Sequence, residues 1–444
     1  MAFGARCLLD KISTVIVGLQ TNSYEIADSA GSINALETIY SVESLSDLPT
    51  ACDNKGRLIY VQNISSYRYS DGYNWIIDSC SVFGTSGSLW TWGSNSCGSM
   101  GDGTTVNRCS PGTVAGDGST WCKVSGQLFF STAIKTDGTL WTWGRNSCGE
   151  LGDGTTTFRS SPGTIAGKGK SWCHISALGC SMSAIKTDGT LWTWGWNNLG
   201  RLGDGTTVDK CSPGTVSGGG TTWCSVDNGG SFVAAIKTDG TLWTWGFNGQ
   251  GRLGDGTTVN KCSPGTVAGG GTTWCQISAG GSHVAAIKTD GTLWTWGKNS
   301  YGQLGDGTTI DRCSPGTIWG SYTTWSKVFG GSNHSASIKT DGTLWTWGCN
   351  YCGKLGNGTT VSRCSPGTVA GGGTTWCMVS GFYNTSAAIK TDGTLWTWGC
   401  NSSGVLGDGT TVNRSSPGTI FGDGITWCSL NTVCSTAAIK TKGF

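Results

Sequence analysis

The residues that could do chemistry recur at a fixed interval. GDGTT strings place Asp102, Asp153, Asp204, Asp255, Asp306 and Asp408 in register, with Asn357 completing the set. A ring of carboxylates suggests calcium, but that ion takes about six to eight oxygens and no further acidic residue follows at coordinating spacing. The spacing instead supports Asp or Asn holding a glycine turn, so no metal is expected. The three histidines, His174, His283 and His334, occupy repeat positions with no nucleophile or zinc-ligand pattern beside them. GDGT lacks the GK[ST] of a phosphate loop. No catalytic residue and no cofactor is expected, and the chain reads as a non-enzyme.

Cysteine is the remaining chemistry. Cys109 and Cys122, Cys211 and Cys224, Cys262 and Cys275, and Cys364 and Cys377 are each 13 residues apart. That spacing could face across two strands of a hairpin, where a disulfide is geometrically possible. Three other copies break the pair, with Ser160 opposite Cys173, Cys313 opposite Ser326 and Ser415 opposite Cys428. An obligate bridge would lose both partners together, so reduced thiols acting as small buried side chains are expected.

These residues are positioned by a repeat. WTWG begins at Trp90, Trp141, Trp192, Trp243, Trp294, Trp345 and Trp396, a spacing of 51 residues each time. Each unit reads as a strand (AAIKT), a D-G turn, a strand (LWTWG), a glycine loop, a strand around SPGTV, and a last strand beginning TW. Four short strands separated by turn signals make one propeller blade. Alternation puts Trp90 and Trp92 on one strand face, which predicts that both rings lie against the neighbouring blade. A Trp burying ~150–250 Å² contributes at most about 4–6 kcal/mol, repeated in every unit. The last ten residues, STAAIKTKGF, lack a following WTWG and are expected to complete the blade that starts at Leu89, removing two open sheet edges. The expected fold is all-β: a seven-bladed β-propeller over 80–444, closed by the C-terminal strand, with a small β-containing attachment segment over 1–79.

Composition agrees. Among 444 residues are 75 Gly, 24 Trp and 21 Cys, with only 13% charged, which excludes a helical bundle. A net charge of +2 without a basic run argues against nucleic acid as a partner. Asp10 and Lys11 interrupt the one N-terminal apolar stretch, and no run of about 18 apolar residues follows, so neither export nor membrane insertion is expected.

The run GSHVAAIKTDGTLWTWGKNSYGQLGDGT, Gly281 to Thr308, resembles the regulator-of-chromosome-condensation repeat in its G-x-H before the strand, its D-G turn, its W-G-x-N and its G-Q-L-G. The resemblance covers roughly residues 81 to 444 and implies the propeller fold, not an activity. Eukaryotic members resemble guanine-nucleotide exchange factors, and one bacterial secreted member inhibits a β-lactamase. The units here are nearly uniform, with no long insertion to wedge against a GTPase, so exchange is not expected.

Where the units differ from one another, binding is the expectation. The KTDGT hairpin is identical in six copies. The segment before the AAIKT strand varies, with Phe129 and Phe130 in one unit and Phe382 with Tyr383 in another. The segment after WTWG varies too, holding Arg145, Trp196, Phe247 and Lys298 at equivalent positions, and Arg201, Arg252, Tyr301 and Tyr351 nearby. Both segments flank one hairpin at its open end, so they share one face. Aromatic and basic residues are the composition of a contact surface, and these twelve residues are the candidate binding face.

Outside the repeats, GRLIYVQNISSYRYSDGYNWII reads as a hairpin, with 56–62 pairing to 67–77. The run LPTACDNKGRLIYVQNISSYRYSDGYNWI resembles a short module of phage tail and fibre proteins. That resemblance implies a non-enzymatic virion component, whether tail, fibre or decoration, assembled in the host cytoplasm and localised to the virion. It implies other virion proteins as partners through residues 1–79, homo-oligomerisation, and a propeller face contacting a host receptor protein, a glycan or another virion protein. The alternative is a free protein-binding propeller acting as an inhibitor or adhesin.

Overall fold

Glycine turns every few residues leave the chain only short strands to form, and the computed structural model shows how they pair. It describes residues 40–42, 58–61, 66–70, 75–77 and 87–441, apart from 117, 119, 127–128, 168, 321, 423–426 and 433–434. The chain divides after Thr85 into two compact units.

The larger unit is an all-β propeller of repeated four-stranded sheets. In a representative sheet, Trp274–Ala279, His283–Lys288, Leu293–Gly297 and Arg312–Thr317 pair antiparallel in chain order. Val284, Ala285, Ala286 and Ile287 are all buried, so both faces of this strand are covered by neighbouring blades. The D-G turn is locked at Gly291, which has φ +77°, and whose Cβ would stand 2.2 Å from the Thr323 carbonyl oxygen of the next blade. Only glycine fits there.

The blade begins one strand earlier than the repeat suggests. The strand opening with TW is the first strand of the following sheet, and it touches the first strands of both neighbouring sheets, which places it against the axis. This overturns the possible hairpin disulfide. Cys262 lies on the outermost strand of one sheet and Cys275 on the innermost strand of the next, at opposite edges of the wedge. The thiols of Cys122, Cys224, Cys275 and Cys377 instead donate to the carbonyls of Ile134, Ile236, Ile287 and Ile389 at 3.3–3.4 Å.

The two Trp residues of WTWG also part company. Trp296 is fully buried and donates its indole N–H to the Arg252 carbonyl of the preceding blade at 3.0 Å. Trp294 is half-buried and keeps its hydrogen bond within its own blade, donating to Thr292 Oγ1 at 2.9 Å, with Lys288 Nζ 4.2 Å above its ring. Trp274 packs edge-on against both rings, at 6.2 and 6.1 Å. The second Trp is therefore the fully buried wedge between blades, while the first covers the rim of the same inter-blade cluster.

The two ends of the repeat array meet in one sheet. Ser435–Thr441 pairs with Gly87–Gly93, from Ser435 opposite Gly93 to Thr441 opposite Gly87. Trp427–Thr432 pairs on its inner side and Arg108–Thr113 lies outside Gly87–Gly93. Each end thus supplies two strands, where the sequence suggested a single C-terminal one. A further bridge, Gly87 to Trp121, joins this sheet to the next, making eight strands.

In the smaller unit, Leu58–Val61 pairs antiparallel with Ser66–Ser70, and Tyr40–Val42 lies parallel to it. Ser66–Ser70 pairs in turn with Trp75–Ile77, so the arm read as one strand is two. The rest of the tail-like run lies outside the described residues.

Candidate binding face

The face is built on a buried asparagine. After Gly246 the chain leaves the sheet at Phe247, and Asn248, fully buried, ties the long loop down. Its Nδ2 donates to Asp255 Oδ1 at 3.0 Å and to the Thr257 carbonyl at 3.1 Å, while its Oδ1 accepts from Leu253 N at 2.8 Å. Asp255 Oδ2 meets Lys261 Nζ at 2.7 Å. Burial pushes this carboxyl up, but the hydrogen bonds from Lys261, Thr257 and Asn248 prevail and hold it at about 2. The same pairing recurs at Asp102, Asp153, Asp204, Asp306 and Asp408 with Arg108, Arg159, Lys210, Arg312 and Arg414. The repeated aspartates are committed to loop scaffolding.

On the side of the blades opposite the D-G turns, here the upper face, the candidate residues separate into two groups. Arg145, Trp196, Phe247 and Lys298 are half-buried at equivalent positions. Tyr301, Tyr351 and Tyr383 are exposed by 45%, 65% and 46%. Phe129 is half-buried, with the Arg145 guanidinium 5.5 Å from its ring. Arg145 also reaches Ser147 Oγ at 2.9 Å and the buried Glu150 at 3.7 Å. The backbone of Phe382 ends a strand opposite Thr385; its side chain lies outside the described residues.

The second group lies inside. Phe130 is 1% exposed and sits in the core beside Ile134 and Trp194. Its position is held by His283 and His334 in other blades, both fully buried, with Nε2 at 2.8 Å from Ser335 Oγ and 3.1 Å from Ser386 Oγ respectively. Burial, with some repulsion from Arg252, pushes His283 down to about 3. Arg201 is 1% exposed, stacks on Trp196 at 4.2 Å, and bonds the carbonyls of Gly179, Asn198 and Gly230. Arg252, half-buried between the two groups, stacks on Phe247 at 4.7 Å and bonds Gln250 Oε1 at 2.8 Å. Burial lowers both guanidinium pKa values to about 10. Phe130 and Arg201 are thus core residues, because the chain positions that carry them point between blades, where Phe130 meets apolar side chains and Arg201 meets backbone carbonyls.

Two features escaped the sequence. Cys352 and Cys400, 48 residues apart, form a disulfide on this face between consecutive units. Along the axis, positions 125, 176, 227, 278, 329 and 380 are Ser, Ser, Asp, Ser, Phe and Ser, one per blade, and line a recess of ≈ 180 Å³ at the upper end of the inner strands. Reading the inner strand in its true blade would have revealed that series.

The regulator of chromosome condensation (RCC1) repeat matches residues 137–184, 188–236, 239–287, 290–338, 341–389 and 392–429. The chain is 29% identical over 336 residues to the ultraviolet-B receptor UVR8 of Arabidopsis thaliana, covering 74% of this chain and 76% of that protein. It is 29% identical over 346 residues to the human E3 ubiquitin-protein ligase HERC2, covering 74% of this chain but spanning only 7% of HERC2. The structure of Prp20p from Saccharomyces cerevisiae superposes with a TM-score of 0.71 at 18% identity, over 81% of this chain and 92% of that one. These likenesses overturn the expectation of a virion component, of virion proteins and host receptors as partners, and of a virion location. That expectation rested on about 30 N-terminal residues lying outside the matched repeats.

Proposed function

Since the chain belongs to the regulator of chromosome condensation repeat family, we propose that it is a non-catalytic, protein-binding propeller that regulates a partner held on its upper face. Within that reading the propeller is a seven-bladed ring closed where Ser435–Thr441 pairs with Gly87–Gly93, and the β-containing segment before it is a separate unit whose boundary falls after Thr85 and not at residue 79. The single observation that carries the function is the series Arg145, Trp196, Phe247 and Lys298. These half-buried side chains change from blade to blade on a scaffold in which WTWG and KTDGT recur almost unchanged. Large amphipathic side chains already held by stacking, as Trp196 is by Arg201, lose little freedom on contact and suit a protein interface.

The potential acid–base residues support a binding role over catalysis, because they are occupied structurally: the repeated aspartates by Lys or Arg, and His283 and His334 by serines in the core. The similar proteins lean the same way, since UVR8 is a receptor and Prp20p is characterised by its binding to Gsp1p and histones. Regulation by blocking a target, as an inhibitor does, falls within the proposal.

The test is affinity capture with the full chain, followed by measurement of Kd for the partner identified. The combined Trp196→Ala, Phe247→Ala and Tyr301→Ala variant is expected to weaken binding at least about a hundredfold, as removal of clustered aromatic anchors does, while still melting cooperatively within several degrees of the wild type. Binding at wild-type strength by this variant would overturn the assignment of the face.

A further inference from the structure

The axial series has one member whose chemistry its structural task does not require. Ser125 Oγ accepts from Ala177 N at 3.1 Å, Ser176 Oγ from Asn228 N at 2.9 Å, and Ser278 Oγ from Gly330 N at 3.0 Å. Each serine oxygen ties its blade to the next through one backbone N–H. Where the series holds Asp227, Oδ2 accepts from Ala279 N at 2.8 Å, which is the same tether. The carboxylate therefore brings a second oxygen and a charge that the tether does not use.

That charge has neutral company. Oδ1 accepts from Ser176 Oγ at 2.8 Å, and the remaining donors are Ser278 and the Asn228 backbone N–H. Among the described residues no ion pair reaches Asp227. Burial pushes its pKa up to about 6 against the opposing pull of those hydrogen bonds, which leaves it ionised at neutral pH. The titratable groups nearest along the inner strands, Lys123, His174 and Lys327, sit two residues earlier on the same strand face, one layer deeper. Lys123 Nζ is engaged by the Cys173 carbonyl and His174 Nε2 by the Val226 carbonyl at 3.0 Å. Above, Arg201 is buried against Gly179 and Gly230. An uncompensated carboxylate in a confined recess is the condition under which a cation gains most from docking, and the deeper cations confine it to the upper layer.

We propose that the upper axial recess receives one cationic side chain of the protein partner, an arginine or a lysine, with Asp227 as its counter-charge and Phe329 as an apolar wall against its stem or over its charge. This rests on the upper face being the partner surface. At ≈ 180 Å³ the recess admits a side-chain head and not a folded element.

The test uses the full chain and three probes at pH 7.5: N-acetyl-arginine amide, N-acetyl-lysine amide and the neutral isostere N-acetyl-citrulline amide. Isothermal titration is expected to show saturable 1:1 binding of a cationic probe and none of the citrulline probe. Asp227→Ser, which installs the residue found at four equivalent positions, is expected to weaken the cation at least about tenfold, as loss of a charge-assisted contact does, and pH 5 to weaken it similarly in the wild type. Asp227→Asn serves as a second variant should the serine form fail to fold. No saturable binding to wild-type protein, or equal binding by the variants or of citrulline, would overturn the inference. If the probes fail while upper-face substitutions still abolish partner binding, only this inference falls. If the probes bind but the partner ignores those substitutions, only the reading of the face falls.

Discussion

Trp296 reaches across a blade boundary to the carbonyl oxygen of Arg252, 44 residues earlier, at 3.0 Å with its ring fully buried. The same bond runs from Trp143 to Ser99, Trp194 to Glu150, Trp245 to Arg201, Trp347 to Gln303, Trp398 to Lys354, and Trp92 to Val405. One hydrogen bond and one large ring thus fasten each blade to its neighbour. Gly305 makes the contact possible, because a Cβ at its φ of +70° would lie 2.6 Å from Trp347 Nε1. Truncating the ring, Trp296→Ala, is expected to cost ~3–5 kcal/mol. Trp296→Phe keeps most of the packing but orphans the Arg252 carbonyl and is expected to cost ~1–3 kcal/mol. Chemical denaturation of the two variants measures both.

Arg201 and Trp196 touch, yet their substitutions should separate stability from binding. Arg201→Ala removes a buried cation from the carbonyls of Gly179, Asn198 and Gly230 and is expected to destabilise the fold by ~1.5–3 kcal/mol. Trp196→Ala, at a half-buried surface position, is expected to leave the melting midpoint within a few degrees while weakening partner binding. A thermal melt and a titration on each variant decide it.

His283 makes the propeller acid-sensitive. Its folded pKa of about 3 lies below the ordinary value near 6.5, so the unfolded chain takes up a proton before the folded one does. This contribution to stability is complete above about pH 6.5 and is lost as pH falls toward 3. Phe130 and Phe232 hold the same position in other blades, so His283→Phe is expected to fold and to flatten the decline in melting temperature between pH 7 and pH 4. An unchanged decline would assign the acid sensitivity elsewhere.

The Cys352–Cys400 bridge closes a 48-residue loop on the upper face. A disulfide of ordinary effect contributes ~2–4 kcal/mol, so Cys352→Ser is expected to lower stability by that amount under oxidising conditions and to match the wild type in excess reductant. Thiol labelling before and after reduction should reveal two additional reactive cysteines in the wild type and none in a Cys352→Ser, Cys400→Ser double variant.

Much of this was legible in the residues. The 51-residue interval of WTWG, the D-G turns and the alternation within LWTWG declare four-stranded blades, because turn chemistry and strand period are local properties of the chain. The pairing of Ile439 with Leu89 was legible as well, since an unfinished unit at each end must find its complement. Which strand opens a blade was not. A tandem repeat has the same period wherever it is cut, and only the sheet pairing places Trp274 at the axis and Cys262 at the rim. That shift of one strand decided the fate of the cysteine pairs and hid the axial series containing Asp227.

The candidate face divides for the same reason. Local sequence announced variability at Phe130, Arg201, Trp196 and Tyr301 alike, because residue type alone does not say whether a side chain points between blades or away from them. The tertiary structure sent the first two into the inter-blade core and left the last two toward solvent. Burial is a property of the neighbouring blade, and that neighbour lies some fifty residues away in the chain.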